Sequence, residues 1–134
     1  MILGIGTDLC DIGRIERALE RFGERFAERI LVPSELERFR HRRKRAAYLA
    51  KRFAAKEAFS KALGTGIRFP VNWHNVWVEN ERSGKPSLKF SRPLAALLKR
   101  RGIENVYVSL TDEIGMACAF VVVEGAIPKA RRRR

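Results

Sequence analysis

Residues 45–66 read RAAYLAKRFAAKEAFSKALGTG. Seven alanines precede Gly64, and neither Gly nor Pro interrupts them. Alanine is the strongest helix former, and a glycine after the last periodic residue is a stop signal. A long helix over residues 45–63 is therefore expected, and the remaining elements are read outward from it. On this helix Glu57 and Lys61 lie four residues apart, so they stack on one face. Ala50, Phe53 and Ala54 share that side, where small side chains would let another element approach closely.

Upstream, residues 2–10 (ILGIGTDLC) read as a buried strand. Gly13 marks a break, and Arg14 to Phe22 has helical spacing, with Ile15, Leu19 and Phe22 along one apolar stripe. Pro33-Ser34-Glu35-Leu36 opens a further helix, proline being suited to a first turn. Downstream of Gly66 the period changes. Asn75 to Glu81 alternates as a strand, Ser83-Gly84-Lys85-Pro86 is turn chemistry, and Ser87 to Phe90 returns as the partner strand. Pro93 to Arg101 is a short helix closed by Gly102. Two last strands, Asn105 to Thr111 and Met116 to Glu124, are joined through Asp112 to Gly115. Helices first and hairpin-connected strands after them imply a single α+β domain over residues 1–125, with helices packed on an antiparallel sheet.

The chain has 134 residues, of which 46% are hydrophobic, enough for one core and too many for a disordered chain. No internal repeat is present. No apolar run approaches the ~20 residues of a membrane span. Met1-Ile2-Leu3-Gly4 lacks a charged start and a long apolar stretch, so no signal peptide and a cytoplasmic location are expected. Cys10 and Cys118 lie far apart in apolar segments and read as free thiols. The net charge is +13, of which five come from Lys129 and Arg131 to Arg134 in a basic tail, residues 126–134, predicted to be disordered. A field of this sign attracts nucleic acid, anionic membrane, phosphorylated small molecules or an acidic protein, and does not choose among them.

Two segments carry candidate chemistry. Along the first strand Gly4, Gly6, Asp8 and Cys10 point to one face, giving backbone room beside a carboxylate. That arrangement suits Mg²⁺, which takes one or two carboxylates and keeps phosphate and water oxygens. An acid at a strand end satisfied by local hydrogen bonds is the alternative. In the second segment Glu57 for a metal and Lys61 for phosphate would form a compact diphosphate site, and Gly64-Thr65-Gly66 could bring backbone N–H groups to an anion. The alternative there is an ordinary exposed ion pair.

The two segments GIGTDLCDIGRIE and KRFAAKEAFSKALGTGI, about 40 residues apart, closely resemble the signature segments of the holo-acyl-carrier-protein synthases, the short-chain branch of the 4′-phosphopantetheinyl transferase superfamily. The similarity continues through FAERIL and SGKPSL to VSLTDEIGMACAFVVVE, nearly the whole chain to Glu124. The resemblance implies Mg²⁺-dependent transfer of 4′-phosphopantetheine from coenzyme A to a serine of apo acyl carrier protein, releasing 3′,5′-ADP, in fatty acid biosynthesis. It places the metal on Asp8 and Glu57 and the transferring phosphoryl group on Lys61. Glu57, directly or through one water, is the preferred acceptor of the serine proton, so Glu57 and Lys61 are the catalytic candidates. For coenzyme A it implies Lys44 with Arg43, Arg52, Lys61, Gly64, the turn Gly84, Lys85 and Pro86, and Ser109 and Thr111.

The same resemblance makes the first helix the dock for the acidic carrier. Arg14, Arg17 and Arg21 lie opposite the stripe of Ile15, Leu19 and Phe22, and Arg25 extends the row if the helix continues past Gly23. It implies, too, a homotrimer with coenzyme A in clefts between subunits. One departure is Tyr107, where family members commonly carry histidine; a tyrosine keeps a hydrogen-bonding tip but does not titrate near neutral pH. His41 and His74 have no second ligand at metal spacing. A nucleic-acid-binding module is the rival class, resting on the Arg42 to Arg45 run and the tail. Aromatics make up only 9% and fall mostly in apolar segments, where they offer no stacking platform, so no specific nucleic-acid partner is expected. A non-catalytic carrier-protein chaperone would leave Asp8 dispensable.

Overall fold

The computed structural model describes residues 1–126. In chain order these form β1 (Ile2–Asp11), α1 (Ile12–Phe22), α2 (Glu24–Ile30), α3 (Pro33–Arg40), α4 (Arg45–Leu63), β2 (Val76–Asn80), β3 (Pro86–Phe90), α5 (Arg92–Arg100), β4 (Ile103–Glu113) and β5 (Met116–Gly125). The α+β expectation holds, with the strands in two antiparallel sets: a three-stranded sheet ordered β1-β5-β4 and a separate hairpin β2-β3. The expected disordered tail, apart from Ala126, lies outside the described residues.

β5 alternates cleanly. Ala117, Ala119, Val121 and Val123 are buried towards α4, while Met116 and Phe120 face outward and are exposed. β1 joins its edge in register, with Gly6 opposite Val121 and Asp8 opposite Ala119. Helix α4 lies across this inner face with Ala54, Ala55, Ala58 and Ala62 buried. The contact is close enough to require glycine on the strand. A Cβ added at Gly6 would sit 1.9 Å from the Ala58 carbonyl oxygen, and one at Gly4 2.0 Å from that of Ala62. The two glycines therefore admit the helix backbone; they do not simply leave room beside a carboxylate, as the sequence suggested.

The start of α1 also differs from expectation. Asp11 caps it, its carboxylate accepting from the Arg14 N–H at 3.3 Å, so Gly13 falls inside the first turn and is no break. The helix ends at Gly23, whose φ of 65° favours glycine, and α2 begins a new direction at Glu24. Ile15 is buried, but Phe22 at the end of the expected apolar stripe is 55% exposed.

A buried ion pair ties the helices to the hairpin. Lys56 and Glu35 are 0% and 1% exposed. The Lys56 ammonium donates to Glu35 Oε1 at 2.6 Å, to the Ile30 carbonyl at 2.5 Å and to the Trp73 carbonyl at 2.8 Å. Glu35 in turn accepts from the Val32 N–H at 3.1 Å and the Val78 N–H at 3.0 Å. The charges are thus fully hydrogen-bonded, the condition under which a buried pair is tolerated. Nothing in the sequence pattern announced it. Replacing Lys56 by Met leaves Glu35 buried and unpaired, so chemical denaturation should show a loss of about 3–5 kcal/mol. Adding Glu35→Leu to Lys56→Met should recover part of that loss, and wild-type stability in the single variant would contradict the assignment.

Candidate active site

The close approach of β1 to α4 positions the site. Asp8 is two residues beyond Gly6 on the same face of β1, and Glu57 immediately precedes Ala58, which receives Gly6 on α4. Lys61 is one turn further along. Its ammonium donates to Asp8 Oδ1 at 3.0 Å and to the Thr7 carbonyl at 3.1 Å. Burial raises the pKa of Glu57, the neighbouring Asp8 carboxylate raises it further, and Lys61 opposes both. Asp8 and Glu57 line one cavity of about 370 Å³ together with Cys10, Arg14, Ile15, Phe26 and Phe53. A larger groove of about 740 Å³ between α2, α3 and β2 contains none of Asp8, Glu57 and Lys61.

The donor chemistry here is hard oxygen. Cys10 lies beside the carboxylates, but burial first, and then Asp8, push its thiol up to about 11, so it stays protonated and is a poor ligand. Among the described residues no group of three His, Cys, Asp or Glu side chains is arranged to hold a metal. Two carboxylates are too few for a closed zinc site. They suit Mg²⁺, whose remaining positions go to water and to substrate phosphate oxygens.

Other candidate residues lie apart from this cluster within the single chain. Gly64 ends α4 with φ 72°. The N–H groups of Gly64 and Thr65 are already bonded to the carbonyls of Lys61 and Ser60 at 3.0 and 3.2 Å. These amides therefore close the helix, a correction to the expectation that they face an anion. Arg101 reinforces that end by donating to the Leu63 carbonyl at 2.8 Å. Lys44 stands just before the opposite end of α4, roughly 25 Å from Lys61 at 1.5 Å per residue. There it lines a pocket with Arg43, Glu16 and Asp112.

Arg52 is buried at 4% exposure, its guanidinium 3.9 Å from the Tyr48 ring centroid and bonded to Asn80 Oδ1 at 3.0 Å. Burial lowers its pKa. Gly84, Lys85 and Pro86 form the exposed end of the β2-β3 hairpin and the start of β3. Ser109, Thr111 and Tyr107 point outward from β4, and the Tyr107 hydroxyl donates to Glu124 Oε1 at 3.0 Å. His41 pairs with Glu37 at 3.0 Å and His74 with the Glu28 carbonyl at 2.8 Å, both outside the site.

Arg14, Arg17 and Arg21 are exposed on α1, and Arg14 reaches the rim of the Asp8–Glu57 cavity. Arg25 belongs to α2, beyond the Gly23 break, so it does not prolong a single helical row. The capping role of Asp11 and the Asn80 bridge were not singled out from sequence. The first was signalled by an acid ahead of a periodic run; the second had no local signal.

The 4′-phosphopantetheinyl transferase superfamily model matches residues 4–118. A holo-[acyl-carrier-protein] synthase of Methylibium petroleiphilum is 52% identical over 129 residues, covering 92% of this chain and 97% of that protein. The crystal structure of the corresponding synthase of Neisseria meningitidis superposes with a TM-score of 0.89 at 48% identity, covering 92% of this chain and 99% of that one. The synthase of Helicobacter pylori, solved in complex with coenzyme A, superposes with a TM-score of 0.79 at 32% identity, covering 90% and 99%. On this similarity in sequence and fold, the chain belongs to the holo-[acyl-carrier-protein] synthases of the 4′-phosphopantetheinyl transferase superfamily.

Proposed function

We propose that this chain transfers 4′-phosphopantetheine from coenzyme A to a serine hydroxyl of apo acyl carrier protein, releasing 3′,5′-ADP, as a cytoplasmic step of fatty acid biosynthesis. The observation that carries the proposal is the meeting of Asp8 and Glu57 at one cavity, with the Lys61 ammonium 3.0 Å from the Asp8 carboxylate. Asp8 and Glu57 would hold Mg²⁺, which supplies charge neutralisation and orientation for the diphosphate.

Lys61, tied to Asp8 and to the Thr7 carbonyl, places a cation beside the phosphates. Its charge counts most as negative charge moves onto the leaving group. Glu57 lines the same cavity, where burial and the neighbouring Asp8 carboxylate raise its pKa. It accepts the serine proton as the hydroxyl oxygen bonds to the pantetheine-bearing phosphorus. The phosphoanhydride bond to 3′,5′-ADP breaks in the same displacement.

The nucleotide end of coenzyme A is assigned to Arg43, Lys44 and Arg52, the turn Gly84 to Pro86, and Ser109 and Thr111. Lys44 and Lys61 lie near opposite ends of α4, roughly 25 Å apart. Their separation supports a site shared between copies. The outer face of the three-stranded sheet supports it too: Ile5, Leu9 and Phe120 are 60%, 66% and 45% exposed there, an apolar surface suited to self-association. A homotrimer is the assembly proposed. The acidic carrier docks on α1, where Arg14 stands between the exposed arginine row and the cavity, and guanidinium groups pair well with carboxylates.

Incubation of apo acyl carrier protein with coenzyme A, Mg²⁺ and this chain should add one phosphopantetheine group, read by mass spectrometry. Asp8→Ala and Glu57→Ala should each slow that gain by on the order of 10²–10³-fold. An undiminished rate in Asp8→Ala would instead point to a non-catalytic carrier-binding protein. Charge reversal at Arg17 and Arg21, which lie outside the cavity lining, should raise the KM for the carrier by roughly tenfold and leave coenzyme A affinity unchanged. An equal fall in coenzyme A affinity would contradict docking on α1.

A further inference from the structure

Among the described residues the β2-β3 hairpin pairs with no strand of the main sheet. Its strands are held by burial of Val76, Val78 and Leu88 and by the Val78 N–H bond to Glu35, but its turn lies beyond these anchors. Its last pair is Asn80 opposite Pro86, and proline has no N–H to give the ladder. Beyond that pair the turn is held by short backbone bonds, Glu81 N–H to the Lys85 carbonyl at 2.9 Å and Gly84 N–H to the Glu81 carbonyl at 2.8 Å. These close the loop on itself and do not fix it to the body of the protein.

The Asn80 side chain makes that connection. Its Oδ1 accepts from Arg52 Nη2 at 3.0 Å, and its Nδ2 donates to the Gly84 carbonyl at 3.0 Å. Arg52 is itself immobilised. It is 4% exposed and stacked on Tyr48, whose hydroxyl donates to the Glu35 carbonyl at 3.2 Å. Its Nε has no hydrogen-bond partner among the described residues, so Asn80 is a principal polar restraint on this buried cation. A chain of contacts thus runs from the Lys56–Glu35 pair through Tyr48, Arg52 and Asn80 to the exposed turn.

We propose that Asn80 is a positioning residue for the nucleotide end of coenzyme A, fixing the Gly84–Lys85–Pro86 turn relative to α4 by bridging the Arg52 guanidinium and the Gly84 carbonyl. The inference rests on the assignment of that turn to the nucleotide side of the substrate. Both ends of the bridge are needed. Aspartate at this position would still accept from Arg52 but would have no donor for Gly84. Alanine would lose both bonds. Asn80 meets the substrate only through the turn, so its loss weakens binding of the nucleotide and not the chemistry at Asp8, Glu57 and Lys61.

The test is isothermal titration of the full-length protein with 3′,5′-ADP in the presence of Mg²⁺, paired with steady-state transfer kinetics and thermal melts. Asn80→Ala should raise the Kd for 3′,5′-ADP and the KM for coenzyme A by about fivefold, as for loss of one net hydrogen bond. The kcat at saturating coenzyme A and the KM for the carrier should stay within about twofold. Asn80→Asp should remain weak for 3′,5′-ADP even though its Arg52 acceptor is intact. Recovery of wild-type affinity in Asn80→Asp, or unchanged affinity in Asn80→Ala, overturns the positioning role.

Gly84→Val, which forces a branched side chain onto a residue at φ 91°, distorts the turn directly and separates the two levels. If Gly84→Val weakens 3′,5′-ADP and Asn80→Ala does not, the turn binds nucleotide without help from Asn80. If neither variant changes affinity, the assignment of the turn to the nucleotide is itself wrong.

Discussion

The site depends on how closely β1 lies against α4. Helix and strand backbones approach so nearly that no side chain fits at Gly4 or Gly6. The consequence is geometric before it is chemical. Asp8 continues the inward face of β1 just past the contact, and Glu57 and Lys61 flank Ala58 on the helix, so the two carboxylates and the ammonium are brought together. Active sites lose rate steeply when reacting groups are misplaced by about an ångström, and a backbone-to-backbone contact is among the stiffest ways to prevent that.

The same helix carries the structure's most buried charge. Lys56 adjoins Glu57 in sequence but is turned about 100° around the helix from it, into a network with Glu35, Ile30 and Trp73. One face of α4 thus anchors α3 and β2, while the next residue presents chemistry at the cavity. Removing two charges from water is costly, and apolar replacement of such a pair is often neutral or stabilising. Its value here lies in direction: ammonium donors reaching three separate segments fix the rotation of α4 about its own axis, and with it the aim of Glu57 and Lys61.

Much of this was legible in the sequence. The alanine run marked α4 and Gly64 its end, because local propensity and the fold agree there. Alternation revealed β2, the last two strands were read at 105–111 and 116–124 within the observed β4 and β5, and the resemblance of two segments singled out Asp8, Glu57 and Lys61. What the sequence concealed is non-local. Gly4 and Gly6 read as small residues near an acid, and nothing in a one-dimensional pattern shows that Ala58 and Ala62 carbonyls fill the space. Glu35 and Lys56 are 21 positions apart on separate helices, and each looks like a surface charge. The division of the strands into β1-β5-β4 and β2-β3 turns on pairings between chain ends. The resemblance gave Arg52 to the nucleotide side, but nothing local showed that it is buried, stacked on the Tyr48 ring and bonded to Asn80.

The most direct measurement is the transfer rate of Gly6→Ala beside its thermal melt. Gly6 has no functional group and contacts no substrate in this account, yet a methyl there meets the Ala58 carbonyl and must push β1 away from α4. A variant that still melts cooperatively should transfer phosphopantetheine about a hundredfold more slowly. A cooperatively folded Gly6→Ala protein with the wild-type rate would contradict the claim that this backbone contact sets the active site.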